Sequence, residues 1–304
     1  MIKLQEAVFE WGGKPSERSM QDRLKYGIVV LDKPCGPSSH EASAFVRKIL
    51  HLTKAGHSGT LDPDVSGVLP VLLENSCKAA PFLLKERKQY VCIMRMNEEK
   101  TRKEVEDAFS HFRGKIYQKP PLESAVAKRL RIREVFELSV LETSGKDVLF
   151  SCDVEGGFYV RKLCFDVGEV LGCGAVMDEL RRTKAAGFVE EQAYTLQALS
   201  DAFWFWTEKN DDSQLKKLVL NLEDGIALKK VVVDDGAIKP ITTGANLAIP
   251  GIVALDEGIK RDENVQILSG KGELVCFAKA LLSTEEIARR ENGLAFDISR
   301  VVKA

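Results

Sequence analysis

The chain has 304 residues, 44% hydrophobic and 29% charged, with 44 Lys and Arg against 45 Asp and Glu. This length fits two domains, the composition is that of a globular protein, and the near-neutral balance gives no global sign of a polyanionic partner. No apolar run is long enough to span a bilayer, the N-terminus lacks the apolar core of a secretory signal, and seven cysteines without C-x-x-C spacing point to reduced thiols in a cytoplasmic protein and away from a zinc site.

Residues 1–24 are polar and irregular and predict an N-terminal arm. "GIVVLDKP" predicts a short buried strand running into a turn at Asp32, Pro34, Gly36 and Pro37. In "SSHEASAFVRKIL", Ser38 and Glu41 have capping-box spacing, and Ala42, Phe45, Val46 and Ile49 give a helix one apolar face. "AGHSGTLDP", residues 55–63, is too short and too broken for a helix or a strand and reads as a shaped loop. "VSGVLPVLLE" predicts a central strand, "KQYVCIMRM" another with alternating faces, and "KEVEDAFSHF" a helix with Val105, Ala108, Phe109 and Phe112 inward. "YQKPPLESAVAKRLRIREV", with two prolines and a basic tail, reads as a loop, and "DVLFSCDV" as a strand. "FYVRKLCFDVGEVLG" puts Val160, Leu163, Cys164, Val167 and Leu171 on one helical face and stops at Gly172 and Gly174. "TLQALSDAFWFW" predicts a last helix before the charged "TEKNDDSQLKK". From about residue 228, short strands and turns predict a small β-barrel or sandwich.

In the loop at 55–63, Asp62 precedes Pro63, which holds its backbone extended, and the glycines allow close approach by a ligand. Chemistry alone leaves two readings: a connecting turn in which Asp62 caps its own backbone, or a mount that presents a side chain. A serine-hydrolase elbow would need glycine where Thr60 stands. Tyr90 reads by itself as a core or strand-face residue, and Arg161, in an apolar helical stretch, calls for a carboxylate partner that spacing does not name. Basic residues gather in three places: Lys85, Arg87 and Lys88; Arg113 to Arg133; and Arg181, Arg182 and Lys184. Three such clusters in a neutral chain fit a phosphate-contacting surface.

The stretches "VVLDKPCGPSSHE", "GHSGTLDPDVSGVLPV", "KQYV", "LESAVAKRLRIR", "FYVRKL" and "GAVMDELRRT" stand in the order seen in the TruB branch of RNA pseudouridine synthases. The wording resembles most the dyskerin group, archaeal and eukaryotic enzymes that work inside H/ACA guide-RNA particles. The resemblance spans roughly residues 25–300. It implies an α+β fold, with a mixed or antiparallel sheet in a catalytic domain over 25–227 and a β-barrel-like PUA domain over 228–304. It also implies roles. Asp62 matches the catalytic aspartate, Tyr90 the tyrosine that stacks on the target base, and Arg161 the arginine that pairs with the aspartate. His57 matches a histidine lying against the target nucleotide, and Lys33 and Pro34 match a motif that supports the loop. The implied RNA-binding set is His57, Lys33, Lys119, Lys128, Arg129, Arg131, Arg181 and Arg182, with a mobile thumb loop at about 117–132. Phe158 departs from the family, which commonly has threonine there.

Such an enzyme breaks the glycosidic bond of uridine, turns the base and rejoins it through carbon, with no cofactor or metal. The chemistry asks for a carboxylate beside the sugar in a fairly dry pocket and an aromatic partner for the unstacked base. The implied partners are guide RNA, target RNA and small H/ACA particle proteins, with no membrane. Two alternatives stand beside this reading: a stand-alone tRNA pseudouridine synthase, and a non-catalytic RNA-binding assembly protein. The joint presence of Asp62, Tyr90 and Arg161 speaks against the last.

Overall fold

The computed structural model describes residues 1–120 and 129–303. The fold is α+β, built on two sheets. The larger has ten strands. Along its main path lie Val219–Asn221, Gly27–Lys33, Ser66–Leu73, Ala175–Ala185, Lys88–Met96, Asp147–Val154, Arg131–Ser144 and Gly114–Gln118. Short strands Ala55–His57 and Phe188–Val189 pair off this path. All its pairings are antiparallel except one, a two-residue parallel seam where Ser66 faces Arg181 and Gly67 faces Arg182.

Helices cover the sheet where the sequence supplies an apolar stripe. Ser39–Ile49 starts in the expected capping box and buries Ala42 and Val46, while Phe45 stays 40% exposed. It packs with Leu196–Lys209 over Val29, Leu31, Leu69 and Val71. On the other half, Arg102–Ser110 and Val160–Val170 pack Val105, Phe109, Leu163, Cys164 and Val167 against Met94, Phe150 and Cys152. Each fully buried side chain of this kind contributes roughly 1.5–3 kcal/mol of transfer free energy.

The second sheet has seven strands, in the order Ile2–Lys3, Ile252–Leu255, Lys229–Val233, Asn264–Leu268, Leu274–Ala280, Leu294–Val301 and Leu247–Ala248. The sheets share a core. Leu268, Leu274, Phe277 and Val302 of the second pack on Ile28, Val30, Leu72 and Phe188 of the first. Phe82 and Phe277 stack with centroids 4.0 Å apart.

Three expectations change, and one strand had no expectation behind it. The start of the chain is no loose arm: Ile2 and Lys3 pair with Leu255 and Ala254, because an open sheet edge offers them hydrogen bonds, and Met20–Tyr26 is a helix. Ala55–His57 is a strand, held by the edge of Ser66–Leu73. The proline-rich basic stretch is not loop at its two ends, where Gly114–Gln118 and Arg131–Ser144 pair antiparallel; residues 121–128 lie outside the described residues. "AVMDELRRTKA" is a strand without strand-like alternation, because its charged side chains find partners on both faces.

Candidate active site

The site lies beside the parallel seam, where the loop after Ala55–His57 meets the start of helix Val160–Val170. The loop is tied down on both sides of Asp62. Ser39, fully buried at the helix start, donates from Oγ to the Leu61 carbonyl at 2.9 Å and accepts from the Leu61 amide at 2.7 Å. Lys33, also fully buried, donates from Nζ to the carbonyls of Val65 at 2.7 Å, Pro34 at 2.8 Å and Pro63 at 3.4 Å. The Gly36 amide donates to the Pro63 carbonyl at 2.8 Å. Leu61 and Val65 anchor in the core. With Leu61 and Val65 buried on either side and Asp62 exposed between them, the loop is a mount rather than a plain turn.

Arg161, the second residue of its helix, donates from Nη2 to Asp62 Oδ2 at 2.8 Å. Asp64 Oδ2 lies 3.8 Å from the same nitrogen. The pair is open to solvent, with side chains 38% and 55% exposed. The described residues do not by themselves enclose this pair in a dry pocket. A cavity of about 560 Å³ lies elsewhere, lined by Arg23, Asn221 and Gln266.

Tyr90 is 7% exposed and sits across the strand pair from Arg182. Burial pushes its hydroxyl up, so the phenol holds its proton at neutral pH. His57 is half-buried, and burial together with nearby Arg182 pushes its imidazole below the ordinary value.

Two of the expected RNA contacts are buried. Lys33 and Arg182 are 0% and 1% exposed and spend their donors on main-chain carbonyls, so they shape the loop instead. Arg181 is half-buried and paired with Asp32 at 3.0 Å and with Glu190, which neutralises much of its charge. Lys119 and Arg129 are exposed and Arg131 is half-exposed, on or beside the paired strands; Lys128 and the rest of 121–128 lie outside the described residues. In the first basic cluster, Arg87 lies over Phe136 at 3.4 Å, and Lys88 is buried. Lys88 donates to the carbonyls of Leu83, Leu84 and Glu86, and burial lowers it to about 8. Counting charge treats these cations as solvated. Ser39 was missed as a site residue; its place directly after the capping serine is the only trace of it in the sequence.

Four family models match the chain in order. They are the DKCLD (NUC011) domain over residues 3–43, the TruB family pseudouridylate synthase N-terminal domain over 47–160, the tRNA pseudouridylate synthase B C-terminal domain over 161–227, and the PUA domain over 229–302. A protein of Archaeoglobus fulgidus named probable tRNA pseudouridine synthase B is 47% identical over 293 residues, covering 96% of this chain and 90% of its own. Among solved structures, one described as a Cbf5-Nop10-Gar1 complex aligns with a TM-score of 0.94 and 42% identity, covering 98% of this chain and 91% of that one. Another, an H/ACA RNP bound to a substrate RNA containing 2'-deoxyuridine, aligns at 0.93 and 40%, covering 100% and 94%.

Proposed function

Because the chain belongs to the TruB family of pseudouridylate synthases, we propose that it is the catalytic subunit of a guide-RNA-directed particle that converts uridine to pseudouridine in ribosomal RNA in the cytoplasm. The observation that carries the site assignment is the Arg161–Asp62 pair at 2.8 Å, on a loop that Ser39 and Lys33 hold from behind. Asp62 serves as the carboxylate beside the ribose, whether by attack on carbon or by removing a proton on the way to a glycal. Arg161 orients it. Tyr90, protonated and fixed in the sheet, supports the unstacked base, and His57 borders the nucleotide. Lys119, Lys128, Arg129 and Arg131 contact RNA phosphates.

In this reading residues 25–227 are the catalytic unit, and 228–304 grip the guide RNA. Guide dependence draws on the two structural neighbours, both particle assemblies and both matched nearly end to end. The partners are guide RNA, target RNA and small proteins of the kind named there, Nop10 and Gar1. The seven unbridged cysteines suit the reducing cytoplasm. The name of the Archaeoglobus relative favours a second reading, direct action on tRNA. Isomerisation assays on ribosomal and tRNA substrates, with and without guide and small proteins, separate the two. Guide-dependent product on ribosomal RNA is expected. Product on tRNA alone selects the second reading.

A further inference from the structure

We propose that Arg182 is a positioning residue for the isomerisation, tying the aspartate loop and the base platform into one rigid unit. The inference rests on the assignment of Asp62 and Tyr90 given above. Arg182 stands on strand Ala175–Ala185 and is 1% exposed. Its Nε donates to the Val68 carbonyl at 2.7 Å, on the strand across the parallel seam. Its Nη2 donates to the Gly59 carbonyl at 3.3 Å, three residues before Asp62. Tyr90 is its cross-strand partner on Lys88–Met96. Three sequence-distant pieces thus meet at one residue: the seam, the loop and the tyrosine.

These acceptors are all uncharged, which makes the residue expensive. Burying a guanidinium against carbonyls forfeits hydration without a countercharge. Lys33, Lys88 and His57 all lie near enough to feel Arg182 as a like charge. Filling volume alone would be cheaper with Met or Leu. What the guanidinium adds is a planar fork whose donors point in fixed, different directions, a geometry that neither an apolar side chain nor a lysine reproduces. Beside Ser39 at Leu61, it is the second anchor upstream of Asp62. It is also the group through which loop and tyrosine keep one distance. Gly59 belongs to the same arrangement: its φ of +114° suits glycine, and a Cβ there would sit 3.6 Å from Arg182 Nη1.

The test is single-turnover pseudouridine formation and RNA binding in the assembled particle, with full-length Arg182→Met and Arg182→Lys. Val29→Ala, a buried change in the helix-covered core, serves as a stability-matched control. Arg182→Met is expected to slow turnover by about 100-fold, the effect of a displacement near 1 Å, with RNA affinity within about threefold of wild type because binding rests on many phosphate contacts. Arg182→Lys keeps charge but loses the fork and falls nearly as far. Combined with Tyr90→Phe, it loses less than the product of the single effects, since both act on one cross-strand pair. A merely structural role predicts rates that track melting temperature as in Val29→Ala, and that result overturns the inference. If Arg182→Met does not fold, the rate-against-affinity split of Arg182→Lys decides. An active wild type with insensitive Arg182 variants overturns this inference alone, whereas an inactive wild type overturns the functional reading as well.

Discussion

At the scale of single residues, the pairing of Asp62 with Arg161 joins positions 99 apart. Periodicity says only that Arg161 sits in an apolar helical stretch and needs a carboxylate; the motif resemblance named the partner. Exposure then changes the energetics. A buried pair would cost several kcal/mol to break, but this one is solvated, so Arg161→Met should change unfolding free energy by only about 0–1 kcal/mol. Its effect belongs in the rate, a fall of roughly tenfold or more from a misoriented carboxylate. Chemical denaturation and single-turnover assays on one preparation check both halves, and a large stability loss with normal turnover would contradict them. His57 carries the pH dependence. Its folded-state imidazole lies below the ordinary 6.5, for reasons of burial first and Arg182 second. As pH falls through 6.5, the unfolded chain therefore takes up the proton first, and stability is lost until the folded imidazole also titrates. Urea midpoints at about pH 7.5 and 5.5 should fall further for wild type than for His57→Gln. Parallel losses would show that the folded environment leaves His57 unperturbed.

Among the secondary-structure elements, those with one dominant apolar period were legible. The helix Ser39–Ile49 begins at its capping box, and Lys88–Met96 buries its even-numbered residues as its alternation predicts. Elements held by neighbours rather than by their own pattern were not. Ala55–His57 exists because an adjacent strand edge receives it, and Ala175–Ala185 hides two arginines among partners no local window contains. The seam between that strand and Ser66–Leu73 depends on Gly67. Its φ is +105°, and a Cβ there would lie 2.3 Å from the Arg182 carbonyl oxygen. Gly67→Ala should therefore force the two strands apart and cost roughly 2 kcal/mol or more, the scale of a side chain held at a backbone angle it disfavours. A melting temperature within a degree or two of wild type would show that the strands close without this approach.

Over the whole molecule, two sheets were foreseeable from the change in composition near residue 228, but their union was not. Apolar residues from both sheets form one cluster, and a buried charge network sits at the same junction. Glu273, 1% exposed, accepts from the Gly13 amide at 3.1 Å, from Arg18 at 3.5 Å and from Lys303. Arg18 also forks onto Glu223 at 2.7 and 2.9 Å. Glu273→Leu leaves buried cations short of a carboxylate and should cost about 3 kcal/mol, read as a lower denaturant midpoint; an unchanged midpoint would mean the network contributes nothing. The shared core also makes deletion of the second sheet a poor probe of RNA binding, since losing Phe277 would uncover Phe82 and the face of the first sheet. Point changes in the full chain separate binding from chemistry. The central claim is that Asp62 is the carboxylate of a pseudouridine synthase, and its most direct test is single-turnover product formation by Asp62→Asn in the assembled guide-RNA particle, with RNA affinity measured in parallel. The amide keeps the shape of the side chain but not its charge, so RNA should bind as in wild type while no pseudouridine forms. Near-normal turnover by Asp62→Asn would contradict the assignment.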